Sequence, residues 1–482
     1  MKQVLFASFE SLPFVKTGGL ADVVYALPKA IDKNKYEVKV CLPLLKKIKD
    51  KYYNDLKYVD HIEVHSGFIN EEANIRSYVN EGIEYLFIEN DTFFYRDGVY
   101  GYDDDVSRFA FYNVAVLEMM IKLNYYPDII HEHDYHASLI PALCRIRYNA
   151  LEKIRNIKHI FTIHNLVYQG EYNKQVLFDL LGFDYRYYES GELRFKDYAN
   201  FMKIGITFAD AVTTVSKTYS QEIQGPELGN NLDPVLQLRK DDLYGIVNGI
   251  DEDLFNPETD KALHANYSLA NYKTGKKDNK RSLQYRLGLN DEPDTMVIGM
   301  ISRLTFQKGA DIFLNAISEL LKKNIQIVIL GTGEAYYENS FKALEAENKG
   351  KFVYYCGYNE DLAHMIYAGI DMLIMPSSFE PCGISQLIAM RYGTLPLVRE
   401  TGGLKDTVEP FNEFENTGRG FSFKEYSSYD LLKVFDYAYL QYYEYPERWA
   451  GLVKRAMEYD VSFKKSAKEY EALYRKVLNK WT

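Results

Sequence analysis

The chain has 482 residues, 47% of them hydrophobic, with 57 Lys and Arg against 68 Asp and Glu for a net charge of -11. That length is too great for one ordinary core and predicts two large domains. The acidic balance excludes the broad basic footprint of a nucleic-acid binder, so an anionic ligand has to be met locally. Four widely spaced cysteines, Cys41, Cys144, Cys356 and Cys382, form no CxxC pair and fit a reducing cytoplasm. No apolar run is long enough to span a membrane, and MKQVLFASFE reads as a strand rather than a signal peptide.

In chain order, Gln3 to Ser8 reads as a buried strand, and Leu20, Val23, Val24, Leu27 and Ile31 mark a helix opening near Gly19. Between them KTGG, Lys16 to Gly19, puts a lysine and free backbone N–H groups at a strand-to-helix junction, which favours an anion. Alone it reads first as an ordinary glycine turn. Strands follow near Glu37 to Leu45, Tyr58 to His65 and Ile83 to Ile88, then a helix from Val106 to Leu123. Phe93 to Asp105, FFYRDGVYGYDDD, is expected to be a long surface loop. A strand from Pro127 to His131 runs into HEHDYHA, which invites a metallo-hydrolase reading, but Asp134 stands one place too early for HxHxDH and position 135 is Tyr. His131 reads equally as a packed histidine. The strand His159 to Ile163 ends in His164 and Asn165. Polar residues recurring at strand ends point to one crevice, since ligands of open parallel sheets bind outside the carboxyl ends. Asp210 to Val215 and Leu243 to Val247 are the last strands of the first domain, with a boundary near Gly245.

The stretch NPETDKALHANYSLANYKTGKKDNKR is polar and aperiodic and is expected to be solvated linker, its basic cluster Lys276 to Arg281 included. Met296 to Ile301 is apolar and β-branched, as a strand covered on both faces should be. It delivers Arg303 and Lys308 to the mouth of a helix whose apolar residues run from Ile312 to Leu321. Two cations there would neutralise a diphosphate; as an isolated pair they read equally as solvated loop charges. Strands at Ile325 to Leu330, Phe352 to Tyr355, Asp371 to Met375 and Leu395 to Val398 follow, with helices at Glu360 to Tyr367 and Gly383 to Arg391. The GTGE after the first has Tyr336 where a dinucleotide fingerprint needs its third glycine, so a nicotinamide site is rejected. Glu380 and Cys382 sit at one strand-to-helix edge and Thr401 to Leu404 at the next. Three helices, Tyr429 to Leu440, Pro446 to Tyr459 and Phe463 to Lys480, close the chain.

KTGGLADV, HDYHA, FTIHNLVYQG, NGID with the later FNP, SRLTFQKG, FEPCG and RETGGLKDTV stand in the order of the glycogen and starch synthase family, which the chain resembles over essentially its whole length. The resemblance implies an α/β fold of two doubly wound Rossmann-like domains facing across a cleft (GT-B type), at 1–245 and 246–458, with a helix at 459–482 returning to the first. It implies retaining, metal-independent glucosyl transfer from ADP-glucose to an α-1,4-glucan, without a cofactor, membrane or nucleic acid. By the same resemblance His164, Arg303, Lys308 and Glu380 are catalytic. Lys16, Gly18, Gly19, Asp22, Asn165, Asn248, Cys382, Gly383, Thr401 and Gly402 bind substrate, and Asp134 and Tyr135 line the acceptor side. The family commonly has Trp at 135, so Tyr135 is a departure. Ile388 leaves Glu380 without a carboxylate partner eight residues on, which disfavours a two-carboxylate mechanism. The alternatives are a metal-dependent hydrolase built on HEHDYH and a non-catalytic glucan-binding protein.

Overall fold

The computed structural model describes residues 1–480; positions 481 and 482, the end of the expected C-terminal segment, lie outside the described residues. The chain divides into two compact units, one of Met1–Asn248 with the segment from Phe463, the other of Gly249–Ser462. Each has its own apolar core.

The first unit contains β1 (Lys2–Ala7), β2 (Tyr36–Pro43), β3 (Lys57–Ser66), β4 (Ile69–Asn80), β5 (Ile83–Glu89), β6 (Ile129–His133), β7 (Lys158–Ile163), β8 (Glu171–Asn173), β9 (Arg194–Phe195), β10 (Tyr198–Asn200), β11 (Ala211–Thr214) and β12 (Leu243–Gly245). Nine of them form a sheet in the order β12-β11-β7-β6-β1-β2-β5-β4-β3, and β8, β10 and β9 form a small antiparallel sheet. The large sheet is parallel except where β4 pairs with β3 and β5. Strands β6 and β7 are buried along their whole length, as strands covered on both faces must be. The order reverses between β1 and β6, so the carboxyl ends of these two strands flank the switch point.

Two sequence expectations fail here. Strand β4 is absent from the sequence reading because its outward positions carry Asn, Glu and Arg, while the buried inward positions are Ile69, Ala73, Ile75 and Ser77, only two of them large and apolar. The stretch from Phe93 to Asp105 is a surface loop only in part: Tyr95, Asp97, Gly101 and Asp103 are exposed, but Phe93, Phe94 and Val99 are buried. The fully buried Arg108 holds it, donating to the carbonyls of Phe93 at 2.7 Å and Val99 at 3.1 Å.

The C-terminal helix, Phe463–Leu478, turns Phe463, Ala467, Tyr470, Tyr474 and Val477 into the core of this unit at helical spacing. Its Tyr474 hydroxyl meets His131 Nδ1 at 2.9 Å, and His131 Nε2 meets Thr162 Oγ1 at 2.6 Å. Both ring nitrogens of His131 are thereby satisfied, and the residue is a packed histidine. Tyr474→Phe should cost about 1–3 kcal/mol, because it strands a buried ring nitrogen; an unchanged urea midpoint for this unit would show that the helix docks without that bond.

The second unit is a six-stranded parallel sheet of β13 (Met296–Ile301), β14 (Ile325–Gly331), β15 (Phe352–Cys356), β16 (Met372–Met375), β17 (Leu395–Arg399) and β18 (Phe421–Phe423), in the order β15-β14-β13-β16-β17-β18. Its switch point lies between β13 and β16. The expected solvated linker is corrected here: Tyr272–Leu287 is a helix. Lys280 pairs with Asp371 at 2.6 Å, and Lys276 Nζ reaches the carbonyls of Ala368, Ile370 and Tyr392 and the Thr394 hydroxyl. The lysines are absorbed by carbonyl and carboxylate groups at strand starts, a role invisible to a count of charge.

Candidate active site

In the second unit three loops meet at the carboxyl edge. The first leaves β13 with Arg303, which is exposed, and turns through Phe306–Lys308 into the helix Ala310–Leu320. Gly309 makes the turn with φ +72°, and a Cβ there would lie 2.2 Å from the Pro376 carbonyl oxygen, so only glycine lets this loop lie on the one after β16. The amide of Ser378 donates to Gln307 O at 2.9 Å across the same seam. The result is an ion pair: Lys308 Nζ sits 2.8 Å from Glu380 Oε1 and 2.7 Å from Oε2, and Ser377 Oγ donates to Oε2 at 3.0 Å. Lys308 is therefore not the solvated loop charge that its isolated position allowed.

The third loop braces the carboxylate from behind. At Gly402, φ +43°, a Cβ would lie 1.9 Å from Glu380 O, and the amide of Gly403 donates to that oxygen at 3.2 Å. Arg399 Nη1 donates to Ser378 O at 2.7 Å. Thr401 and Cys382 are buried beside these contacts, and Gln386 Nε2 donates to the carbonyls of Cys382 and Gly383. Arg303, Lys308, Glu380, Cys382, Gly383, Thr401 and Gly402 thus share one sheet edge. Ile388 lies in the core, 3% exposed, so no carboxylate faces Glu380 from that position.

In the first unit Lys16 pairs with Asp22 at 2.8 Å across the start of the helix Gly19–Ala30. A Cβ at Gly18 or Gly19 would meet no atom within 4 Å. Sequence reasoning missed what holds this loop. Glu10, 2% exposed, accepts from the Thr17 amide, from Thr17 Oγ1 at 2.6 Å and from the Tyr100 hydroxyl at 2.7 Å. Tyr100 stacks on His136 with centroids 4.6 Å apart. A lone carboxylate in the apolar run FASFESLPF was the available signal.

After β6, Asp134 adopts φ 58°, ψ 177°, a strained backbone for a residue with a side chain. Its Oδ1 accepts from the His164 amide at 2.8 Å, and the Asn165 amide also faces the carboxyl. Although Asp134 keeps some exposed surface, its carboxyl lies deep, and burial pushes it up to about 7 against the pull of these two donors. Burial pushes His164 down to about 3 and His133 well below its ordinary value. The 3.0 Å contact between His133 Nδ1 and His164 Nε2 therefore joins two neutral rings, one donating and one accepting. Among the described residues no three His, Cys, Asp or Glu side chains converge to hold a metal ion. Asn248, at the end of the unit's main segment, is buried, and its Oδ1 has no hydrogen-bond partner among the described residues.

Two doubly wound units, each with charged and glycine-rich loops at its switch point, have the architecture of the GT-B glycosyltransferases. The sequence matches the family described as Starch synthase catalytic domain over residues 3–238 and Glycosyl transferases group 1 over residues 285–451. It is 45% identical to a glycogen synthase of Caldicellulosiruptor saccharolyticus, covering 98% of this chain and 99% of that protein. With a glycogen synthase of Streptococcus mutans it is 42% identical over 98% of this chain and 100% of the other. The catalytic domain of starch synthase IV from Arabidopsis thaliana, bound to ADP and acarbose, superposes with a TM-score of 0.92 at 33% identity, covering 99% and 100% of the two chains. The chain belongs to the glycogen and starch synthase family and is a glycosyltransferase.

Because the Asp134 carboxyl is held above its ordinary value of 3.8, the folded chain binds its proton more tightly than the unfolded chain does, so its contribution to stability falls as pH rises from about 4 to about 7. Asp134→Asn keeps an acceptor but cannot ionise. The thermal midpoint of the wild type, measured relative to this variant, is expected to decline across that window, and parallel curves would refute the shift.

Proposed function

We propose that the chain transfers glucose from ADP-glucose to the non-reducing end of an α-1,4-glucan with retention at the anomeric carbon, releasing ADP. The observation that carries this reading is the Lys308–Glu380 pair, a cation and a carboxylate held together at the switch point of the second sheet. Lys308 and Arg303 take up the charge that grows on the diphosphate as its bond to the anomeric carbon breaks. Glu380, with the backbone of Cys382 and Gly383, holds sugar hydroxyls beside the cationic carbon, and Thr401 and Gly402 lie against the phosphates. With Ile388 in place of a second carboxylate, retention is best served by attack on the face the diphosphate leaves. The acceptor hydroxyl then passes its proton to the departing phosphate oxygen. In the first unit Lys16, Gly18, Gly19 and Asp22 contact the donor, His164 and Asn165 the transferred glucose, and Asp134 and Tyr135 the acceptor; Asn248 contributes its buried amide to donor binding. The reading draws further support from the relatives named as glycogen synthases and from ADP in the starch synthase structure. Cys41 and Cys144, buried thiols outside any disulfide, fit the cytoplasm.

Incubation with glycogen and either ADP-glucose or UDP-glucose tests this. Release of ADP with elongation of the glucan is expected; no nucleotide release from either donor would refute it. Lys308→Ala should lower kcat by a factor on the order of 10² to 10³. It should also lower the thermal midpoint, because it leaves the nearly buried Glu380 unpaired at a cost of about 3 kcal/mol. Adding Glu380→Gln to that variant should restore the midpoint without restoring turnover. A Lys308→Ala enzyme with near wild-type kcat would remove the lysine from the reaction.

Turnover should also survive dialysis against a chelator, since protein cations and backbone N–H groups are assigned here the charge that a divalent ion neutralises elsewhere. Loss of activity restored by a divalent metal would return the histidines of HEHDYH to consideration as ligands.

A further inference from the structure

Beyond Tyr135 the first unit holds a cavity of about 470 Å³, within the size range of small-molecule sites, lined by Tyr135, Tyr168, Tyr172, Glu171 and Asn231 with Gln169 and Asn230 behind them. We propose that this cavity binds the glucan acceptor several sugar units from its reacting end, with Tyr168 as the stacking platform and Glu171 and Asn231 as hydroxyl partners; the proposal rests on the reading of the chain as a glucan synthase. It opens at the carboxyl edge of the large sheet, between the loop that follows β6 and the loop that follows β7. The second of these begins with His164 and Asn165 and reaches Tyr168 in a turn closed by the Tyr168 amide on Asn165 O. A chain whose end lies at Asp134 and Tyr135 therefore has this cavity as its continuation.

The wall is built and fixed rather than fortuitous. The buried Gln169 donates from Nε2 to the carbonyls of Leu166 and Asn230, both at 3.0 Å, and accepts at Oε1 from Asn200 Nδ2 at 2.6 Å. Tyr172 packs on Phe201 with centroids 4.9 Å apart. Against this rigid frame Tyr168 stays 49% exposed and Val167 44%, and Glu171 and Asn231 are exposed beside them. Aromatic faces flanked by a carboxylate and amides match a pyranose, which offers C–H groups to a ring and hydroxyls to planar acceptors and donors.

The experiment uses the full chain and maltoheptaose, in two measurements. In calorimetric titration the wild type is expected to bind maltoheptaose and Tyr168→Ala to bind it about tenfold more weakly. With ADP-glucose as donor, kcat/KM for maltoheptaose is expected to fall by the same factor in Tyr168→Ala, while kcat/KM for maltose and affinity for ADP stay at the wild-type level. Tyr168 is half-exposed, so the variant folds, and Tyr168→Phe, which keeps the ring face, should bind like the wild type. Equal maltoheptaose binding by wild type and Tyr168→Ala overturns the proposal, as does a wild type that does not bind the oligosaccharide. Weakened binding in the variant from a wild type that releases no nucleotide upholds the cavity and refutes the synthase reading instead.

Discussion

A carboxylate taken out of water needs a cation, and in the second unit that requirement is met by Lys308 against Glu380. Neither residue comes near the other in sequence. Their meeting depends on Gly309 lying on Pro376 and on Gly402 and Gly403 lying on the carbonyl of Glu380. The pair is consequently both a structural joint and the chemical centre of the proposed reaction. A lysine that already has a carboxylate partner is oriented before any substrate arrives, so the charge needed by a departing diphosphate is preorganised rather than recruited from solvent.

The first unit meets the same demand with different means. Its Lys16 is paired with Asp22, and Glu10 ties the KTGG turn to Tyr100, whose ring continues through His136 toward Tyr135. The histidines of HEHDYH divide according to what surrounds them. His131 is locked by Tyr474 and Thr162, whereas His133 passes its contact on to His164 at the strand end. Two of the residues that look most like metal ligands in the sequence, His131 and His133, are thus stacked rings, centroids 4.3 Å apart, with His133 alone hydrogen-bonded onward to His164.

Much of the fold was legible because buried parallel strands are written in runs of β-branched and apolar residues. Met296 to Ile301 stands with the bounds its composition dictates, and the motifs fall at strand ends as the doubly wound topology requires. What escaped was whatever depends on distant partners. Lys276 and Lys280 look like solvated charge until the carbonyls of Ala368 and Ile370 and the carboxylate of Asp371 are brought beside them. Strand β4 looks like a polar loop until β3 and β5 flank it. Glu10 stands out locally only as a lone carboxylate in an apolar run, and its role exists only once Thr17 and Tyr100 converge on it.

The helix Phe463–Leu478 completes the core of a unit whose other residues end at Asn248. The order of synthesis and the order of folding are therefore different. All of Gly249–Ser462 is synthesised before Tyr470 and Tyr474 exist, so throughout that time the first unit waits with the groove for its last helix uncovered. A chain cut short between Ser462 and that helix would carry a finished C-terminal sheet and an unfinished N-terminal core, and its exposed apolar groove would mark it for aggregation or proteolysis although no catalytic residue was missing.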